Sequence, residues 1–164
     1  MSPRAAWRLE SLGFTDVYDY VAGKLDWMAA GLPTEGTNAA RPRAGDVARR
    51  DVPTCRLDEK LADVQKRVAA AGWNACVVVN SERVVLGLLR AAELQRDPAL
   101  RIDKAMRPGP STFRPFEEIE KIAKVMADRN IESVPITTSG GRLVGLLLRS
   151  DVNRDLAPEE RGEP

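Results

Sequence analysis

The feature that most constrains this chain is an internal repeat. Gly87, in Val84-Val85-Leu86-Gly87-Leu88-Leu89, stands 58 positions before Gly145, in Arg142-Leu143-Val144-Gly145-Leu146-Leu147. The same offset carries Thr54 onto Thr112 and Glu93 onto Asp151, with no gap between Ala44 and Leu94. An ungapped repeat of this length is a duplicated supersecondary unit. One copy is small for a stable core, so the two are expected to bury their apolar faces on each other. The seam between them is the expected site.

Composition narrows the chemistry that such a seam can perform. The 164 residues are 43% hydrophobic and 30% charged, ordinary for a soluble globular protein. With 25 basic against 24 acidic residues, the net charge of +1 leaves no electrostatic footprint for nucleic acid or an anionic membrane. Histidine is absent, which excludes His-dependent triads and HExxH zinc sites, and no metal site is expected. Cys55 and Cys76 lie in apolar surroundings with no close pairing in sequence, which reads as core thiols in a reducing compartment. No stretch approaches the roughly 20 apolar residues of a membrane span, and no signal-peptide core is evident, so a cytoplasmic location is expected.

Within each copy the order of signals is strand, helix, strand, strand, short helix. In the second copy, Thr112-Phe113 is extended, and Pro115 opens a helix with Glu117-Glu118 as its acidic first turn. Ile119, Ile122, Ala123 and Met126 form one apolar stripe, Glu120, Lys121, Lys124 and Asp128 face water, and Arg129-Asn130 closes the helix. Ser133-Val134-Pro135-Ile136-Thr137 and residues 143–148 form a hairpin around Ser139-Gly140-Gly141. Ser150 or Asp151 caps a short last helix running to about Leu156. The first copy repeats these steps with Leu61, Val64 and Val68 as its stripe, Gly72 as its stop, strands at 75–79 and 84–89, and a turn at Asn80-Ser81-Glu82. Ahead of both, residues 4–14 predict a helix with Ala6, Leu9 and Leu12 on one face, ended by Gly13. A short strand is expected near Val17-Tyr18 and a linker from Thr34 to Arg43. The fold class is α/β (α+β), two βαββα repeats behind an N-terminal helical and extended appendage.

The segment Leu143-Val144-Gly145-Leu146-Leu147-Leu148-Arg149-Ser150-Asp151-Val152, preceded by Ile131-Glu132-Ser133-Val134-Pro135-Ile136, resembles the second half of a CBS (cystathionine beta-synthase) domain. With the first copy it looks like a tandem CBS pair, or Bateman module, with repeats at 44–98 and 102–157. The resemblance implies two units related by pseudo-twofold symmetry and no catalytic chemistry. It also implies a cleft for an adenosine-containing ligand such as AMP, ADP, ATP or S-adenosylmethionine. By position, Asp151 would bind the ribose hydroxyls, while Arg149 and the helix start at Ser150 would meet phosphate. Backbone at Ser111-Thr112 and Ser133-Val134 would hold adenine against an apolar wall of Val134 and Pro135. Leu148 stands where the family often has Thr or Ser. In the first copy the matching positions are Arg90 and Glu93, the latter expected as an exposed helix residue. Gly87 and Gly145 read as close-packing positions. The resemblance also implies a homodimer through the repeat helices and an unidentified regulated protein. A ligand-free structural or interaction module with degenerate sites is the alternative.

Residues 8–27, Arg8-Leu9-Glu10-Ser11-Leu12-Gly13-Phe14-Thr15-Asp16-Val17-Tyr18-Asp19-Tyr20-Val21-Ala22-Gly23-Lys24-Leu25-Asp26-Trp27, followed by Gly31-Leu32-Pro33-Thr34-Glu35-Gly36, are similar to the last third of a rhodanese domain. That resemblance places the family's catalytic cysteine upstream of Pro3, so residues 1–40 are expected to lack sulfurtransferase chemistry. The apolar face of Trp7, Phe14, Trp27 and Met28 is expected to pack on the repeat pair or on a partner.

Overall fold

The structure, a computed structural model, describes residues 2–18, 20, 23–29, 32–33, 35–36 and 41–156. Helices α1 (Ser2–Ser11) and α2 (Gly23–Ala29) precede the repeats. The first repeat contains α3 (Ala44–Val47), β1 (Thr54–Cys55), α4 (Leu61–Ala70), β2 (Cys76–Val79), β3 (Val85–Leu89) and α5 (Ala91–Leu94). The second contains α6 (Ile102–Ala105), β4 (Arg107–Pro108), α7 (Ile119–Asp128), β5 (Ser133–Thr137), β6 (Leu143–Leu148) and α8 (Arg149–Leu156). The chain is thus a mixed α+β fold made of one unit used twice.

The apolar stripes fold as their spacing dictates. Leu61, Val64 and Val68 are buried along α4, and Ile119, Ile122 and Met126 along α7. Both helices stop at the same repeat position. Gly72 has φ +70° and Asn130 has φ 49°, the left-handed conformation that closes a helix and that glycine and asparagine tolerate best.

The repeats are joined by exchanging their lead-in segments. In the first sheet the order is β1-β2-β3-β4, so β4, which belongs to the second repeat's lead-in, pairs with the first repeat's last strand through Gly87 and Leu88. Reciprocally, Arg49 bridges Leu146 on β6, while Phe113 bridges Ile136 on β5. The pairing of β5 with β6 is thereby extended on both sides in the same pattern. The Ala44 N–H donates to the Glu117 carbonyl at 2.9 Å, and the Ile102 N–H donates to the Glu59 carbonyl at 3.0 Å. These are one bond repeated at the 58-position offset.

The exchange is visible in the cores. Ile102 and Ala105 complete a first core built on Val64, Val68, Val78 and Leu89, whereas Ala44 and Ala48 complete a second built on Ile122, Met126, Ile136 and Leu147. Between the sheets, Val52, Val77, Leu88, Leu143 and Leu146 make a third. At the hairpin tips the Val85 N–H donates to the Gly141 carbonyl and the Leu143 N–H to the Arg83 carbonyl, at 3.0 and 2.9 Å. Cys55 and Cys76, distant in sequence, meet on neighbouring strands as buried free thiols. A hydrogen bond to Cys76, then burial, pushes the Cys55 thiol up from its ordinary pKa.

Three local expectations are corrected. The helix expected to open at Pro115 begins at Ile119, because Glu118 is held extended by its bridge to Arg43, and the Glu117 side chain accepts from the Arg114 N–H in the turn before it. Val17 and Tyr18 are not in a strand. Trp7 and Phe14 are 68% and 60% exposed, so they do not pack on the repeat pair. Trp27 meets Tyr20 edge-on at 5.3 Å and donates to the Pro33 carbonyl. Of the expected linker, residues 34 and 37–40 lie outside the described residues. Among those described, no helix is long and apolar enough to cross a membrane.

Candidate ligand cleft

The matched acidic positions, Glu93 and Asp151, are both buried, at 1% and 2% exposure. Each is closed by an arginine from the other repeat. Arg49 donates from Nε to Asp151 Oδ2 at 2.6 Å and from Nη2 to Oδ1 at 2.8 Å, and Arg154 adds a contact at 3.4 Å. Arg107 donates from Nε to Glu93 Oε1 at 2.7 Å. Arg49 and Arg107 are themselves 58 positions apart, so these are two copies of one cross-repeat ion pair.

The extra methylene of Glu93 lets its second oxygen reach back. Oε2 accepts from the Arg90 N–H at 3.0 Å and caps α5, which places inside the fold a residue expected to be exposed. Asp151 stands within the first turn of α8, which starts at Arg149, and its oxygens go to arginine. The Arg49 hydrogen bonds, opposed by burial, hold the Asp151 carboxyl below its ordinary pKa. For Glu93, burial alone would raise the pKa. The Arg107 and Arg90 N–H bonds outweigh it and bring the value down. The Arg49 guanidinium also lies 5.7 Å from the centre of the Trp73 ring.

A separate open cleft of about 340 Å³ lies between the repeats. Its walls include Asn74 and Glu132, Ala75 and Ser133, Arg90 and Leu148, and Ala91 and Arg149. Every one of these is a pair at the 58-position offset, so the cleft straddles the pseudo-twofold axis. Ser150 and Asn153 complete it on one side.

The charges in this cleft are not balanced. Arg90 donates from Nη2 to the Ser133 carbonyl at 3.0 Å, its buried Nε has no hydrogen-bond partner, and no carboxylate among the described residues pairs with it. Burial, then the nearby Arg107, lowers its pKa, outweighing the opposing pull of the Glu93 and Glu132 carboxylates. Arg149 donates to Asn130 Oδ1 at 3.2 Å and lies 3.7 Å from Glu132, a carboxylate 73% exposed. Among the described residues no group of three Cys, Asp or Glu is placed to hold a metal ion.

Of the residues singled out from sequence, Arg90, Ser133, Arg149 and Ser150 meet at the cleft. Val134 packs into the second core, Pro135 is buried on β5 opposite Leu146, Thr112 is half-buried and Ser111 exposed. Asn74, Glu132 and Asn153, and the closing residues Arg49 and Arg107, were not singled out. For the last two a signal existed: an arginine conserved across the repeat offset.

Comparison with known proteins agrees with this architecture. The CBS domain family profile matches residues 44–97 and 101–157. A homoserine O-acetyltransferase of Methanosalsum zhilinae is 23% identical over 142 residues, covering 85% of this chain and 28% of the relative. An uncharacterized protein of Methanopyrus kandleri is 26% identical over 116 residues, covering 66% and 59%. The chain therefore spans under two thirds of these relatives. Among solved structures, the cytosolic domain of the Mg2+ channel MgtE in complex with ATP has a TM-score of 0.65 at 25% identity, covering 70% of this chain and 49% of that one. The CBS domain pair of protein MJ0100, in complex with 5-methylthioadenosine and S-adenosylmethionine, has a TM-score of 0.64 at 18% identity, covering 70% and 94%. CBSX2 in complex with AMP has 0.63 at 17%, covering 68% and 93%. With two matched units related by a constant offset and closed around a common axis, the chain belongs to the CBS domain family as a tandem pair.

Proposed function

We propose that this CBS pair is a non-catalytic regulatory module that binds an adenosine-containing ligand between its repeats, the ligand altering how the halves pack. The observation that carries this reading is the half-buried Arg90 cation with no carboxylate partner, in an open cleft that both repeats line. A cation held partly out of water with no carboxylate in contact, only Glu93 and Glu132 acting from farther off, is costly, and an anionic ligand group lowers the cost. In this reading Arg90 and Arg149 receive the anionic end, with Ser133 and Ser150 beside them. Asp151 takes the ribose only after Arg49 gives way, and Ser111, Thr112, Val134 and Pro135 flank the base. Three structurally similar proteins carry AMP, ATP, or 5-methylthioadenosine with S-adenosylmethionine, which favours the adenosine class.

A second reading has a specific observation behind it. Both acidic positions are already occupied by arginine, as expected of a scaffold that pairs chains or partners without a ligand. Thermal unfolding with AMP, ADP, ATP, S-adenosylmethionine and NADH separates the two. A ligand at 100 times its Kd stabilises by about 2.7 kcal/mol, and no shift with any of the five refutes the ligand-binding reading.

A further inference from the structure

We infer that the axial cleft selects phosphorylated ligands over uncharged and cationic adenosine derivatives, with Arg90 reading the charge. This rests on the ligand-binding reading and narrows its chemistry. The repeats supply cations from non-equivalent positions: Arg90 faces Leu148 across the axis, and Arg149 faces Ala91. Both converge on one stretch of β5 and the residue before it. Arg90 Nη2 donates to the Ser133 carbonyl at 3.0 Å, and Arg149 Nη2 lies 3.7 Å from Glu132 Oε1.

Other charges nearby are already matched. Arg107 is bound by buried Glu93, and Arg149 shares its charge with Glu132 at 3.7 Å. Arg90 is left with one carbonyl and an unpartnered Nε; Arg107 repels it, and the carboxylates that attract it, Glu93 and Glu132, are the ones engaged by Arg107 and Arg149. A phosphoryl group is an anionic acceptor whose oxygens suit the planar donor fork of a guanidinium, and it has enough of them for two. S-adenosylmethionine is the opposite case. Its sulfonium and ammonium outweigh its carboxylate, so it brings net positive charge to a cleft with two guanidinium groups and one exposed carboxylate.

Isothermal titration of the full chain with AMP, adenosine, S-adenosylmethionine and inorganic tripolyphosphate tests this. AMP is expected to bind on the order of 10- to 100-fold tighter than adenosine, the gain of one charge-assisted contact, with S-adenosylmethionine weakest. Arg90→Leu, which installs the residue of the other repeat, should erase the AMP-to-adenosine ratio. Should it not fold, Arg90→Gln gives the same reading. Adenosine or S-adenosylmethionine binding as tightly as AMP, or a ratio unchanged in the variants, overturns the inference and leaves the module's ligand binding intact. Tripolyphosphate binding that Arg90→Leu abolishes, without nucleotide binding, upholds the anion cleft and removes the adenosine class. Binding of none of the four ends both.

Discussion

Replacing Gly145 by alanine tests whether the lead-in exchange carries the site. A Cβ at Gly145 would lie 2.7 Å from the Arg49 carbonyl oxygen, 3.1 Å from its carbon and 3.2 Å from Ala48 Cβ. Everything it meets is main chain or a side chain too short to turn away. That segment is held by Arg49 N–H to Leu146 O and Leu146 N–H to Arg49 O, each 2.9 Å, and by the Arg49 pair with Asp151. Overpacking of this kind costs about 1–3 kcal/mol, and straining two main-chain bonds adds about 1–2. The entropy regained on replacing a strand glycine returns roughly 0.5–1. The net expectation for Gly145→Ala is a loss of about 1–4 kcal/mol, centred between about 2 and 3. At the equivalent Gly87 the Cβ runs into Met106 Sδ first and lies 3.0 Å from Arg107 O. A methionine side chain can swing aside, so Gly87→Ala should cost only about 1 kcal/mol. Urea unfolding of both variants, at unchanged m-value, measures the difference. A Gly145→Ala loss below about 0.5 kcal/mol, or a larger loss at Gly87, refutes the reasoning.

Three further outcomes follow from the buried groups and helix ends. Asp151 and Glu93 have pKa values held below their ordinary range, so their ion pairs stabilise the fold above roughly pH 4, the unfolded value, and that stability is lost as pH falls through the folded value. Melting temperature should drop steeply below about pH 4, and Asp151→Asn with Glu93→Gln should flatten the drop; an unchanged acid limb contradicts this. Because Cys55 and Cys76 are buried and the Cys55 thiol is pushed up, iodoacetamide at pH 8 should label the native chain at least about 100-fold more slowly than the urea-unfolded one, as followed by mass. Equal rates would show an open β1–β2 edge. Asn130→Gly should stabilise by a few tenths of a kcal/mol and Asn130→Val destabilise by more than about 1, since the position has φ 49°; thermal melts in which valine is tolerated would contradict this.

The fold was legible because its signals are local and occur twice. Stripes such as Ile119, Ile122 and Met126 and the matched glycines locate helices and strands from spacing alone. The start of α7 was not. Pro115 and the two following glutamates have the chemistry of a helix opening, but Glu118 is claimed by the bridge to Arg43, a contact 75 positions distant. Cross-repeat pairing overrode local propensity there. The same remoteness hid the thiol pair, because Cys55 and Cys76 come together only through the parallel register of β1 and β2.

The site shows the opposite balance. Matching Glu93 to Asp151 was correct as a correspondence, yet the comparison of those two residues alone suggested that the copies differ. Adding Arg49 and Arg107 to the comparison makes them alike, since each buried carboxylate is closed by the other repeat's lead-in arginine. The asymmetry lies instead at Arg90 against Leu148 and Ala91 against Arg149, where exchange of side-chain type leaves one cation on each wall of the axial cleft. The carboxylates therefore hold the repeats together, and the two arginines that have no arginine at the equivalent position of the other repeat give the cleft its charge. Because Arg90 N–H caps onto Glu93 while its guanidinium reaches Ser133, a ligand that draws on Arg90 pulls on the end of the first repeat and on β5 of the second at once. In the proposed function, that one residue would link what the cleft binds to how the two copies are joined.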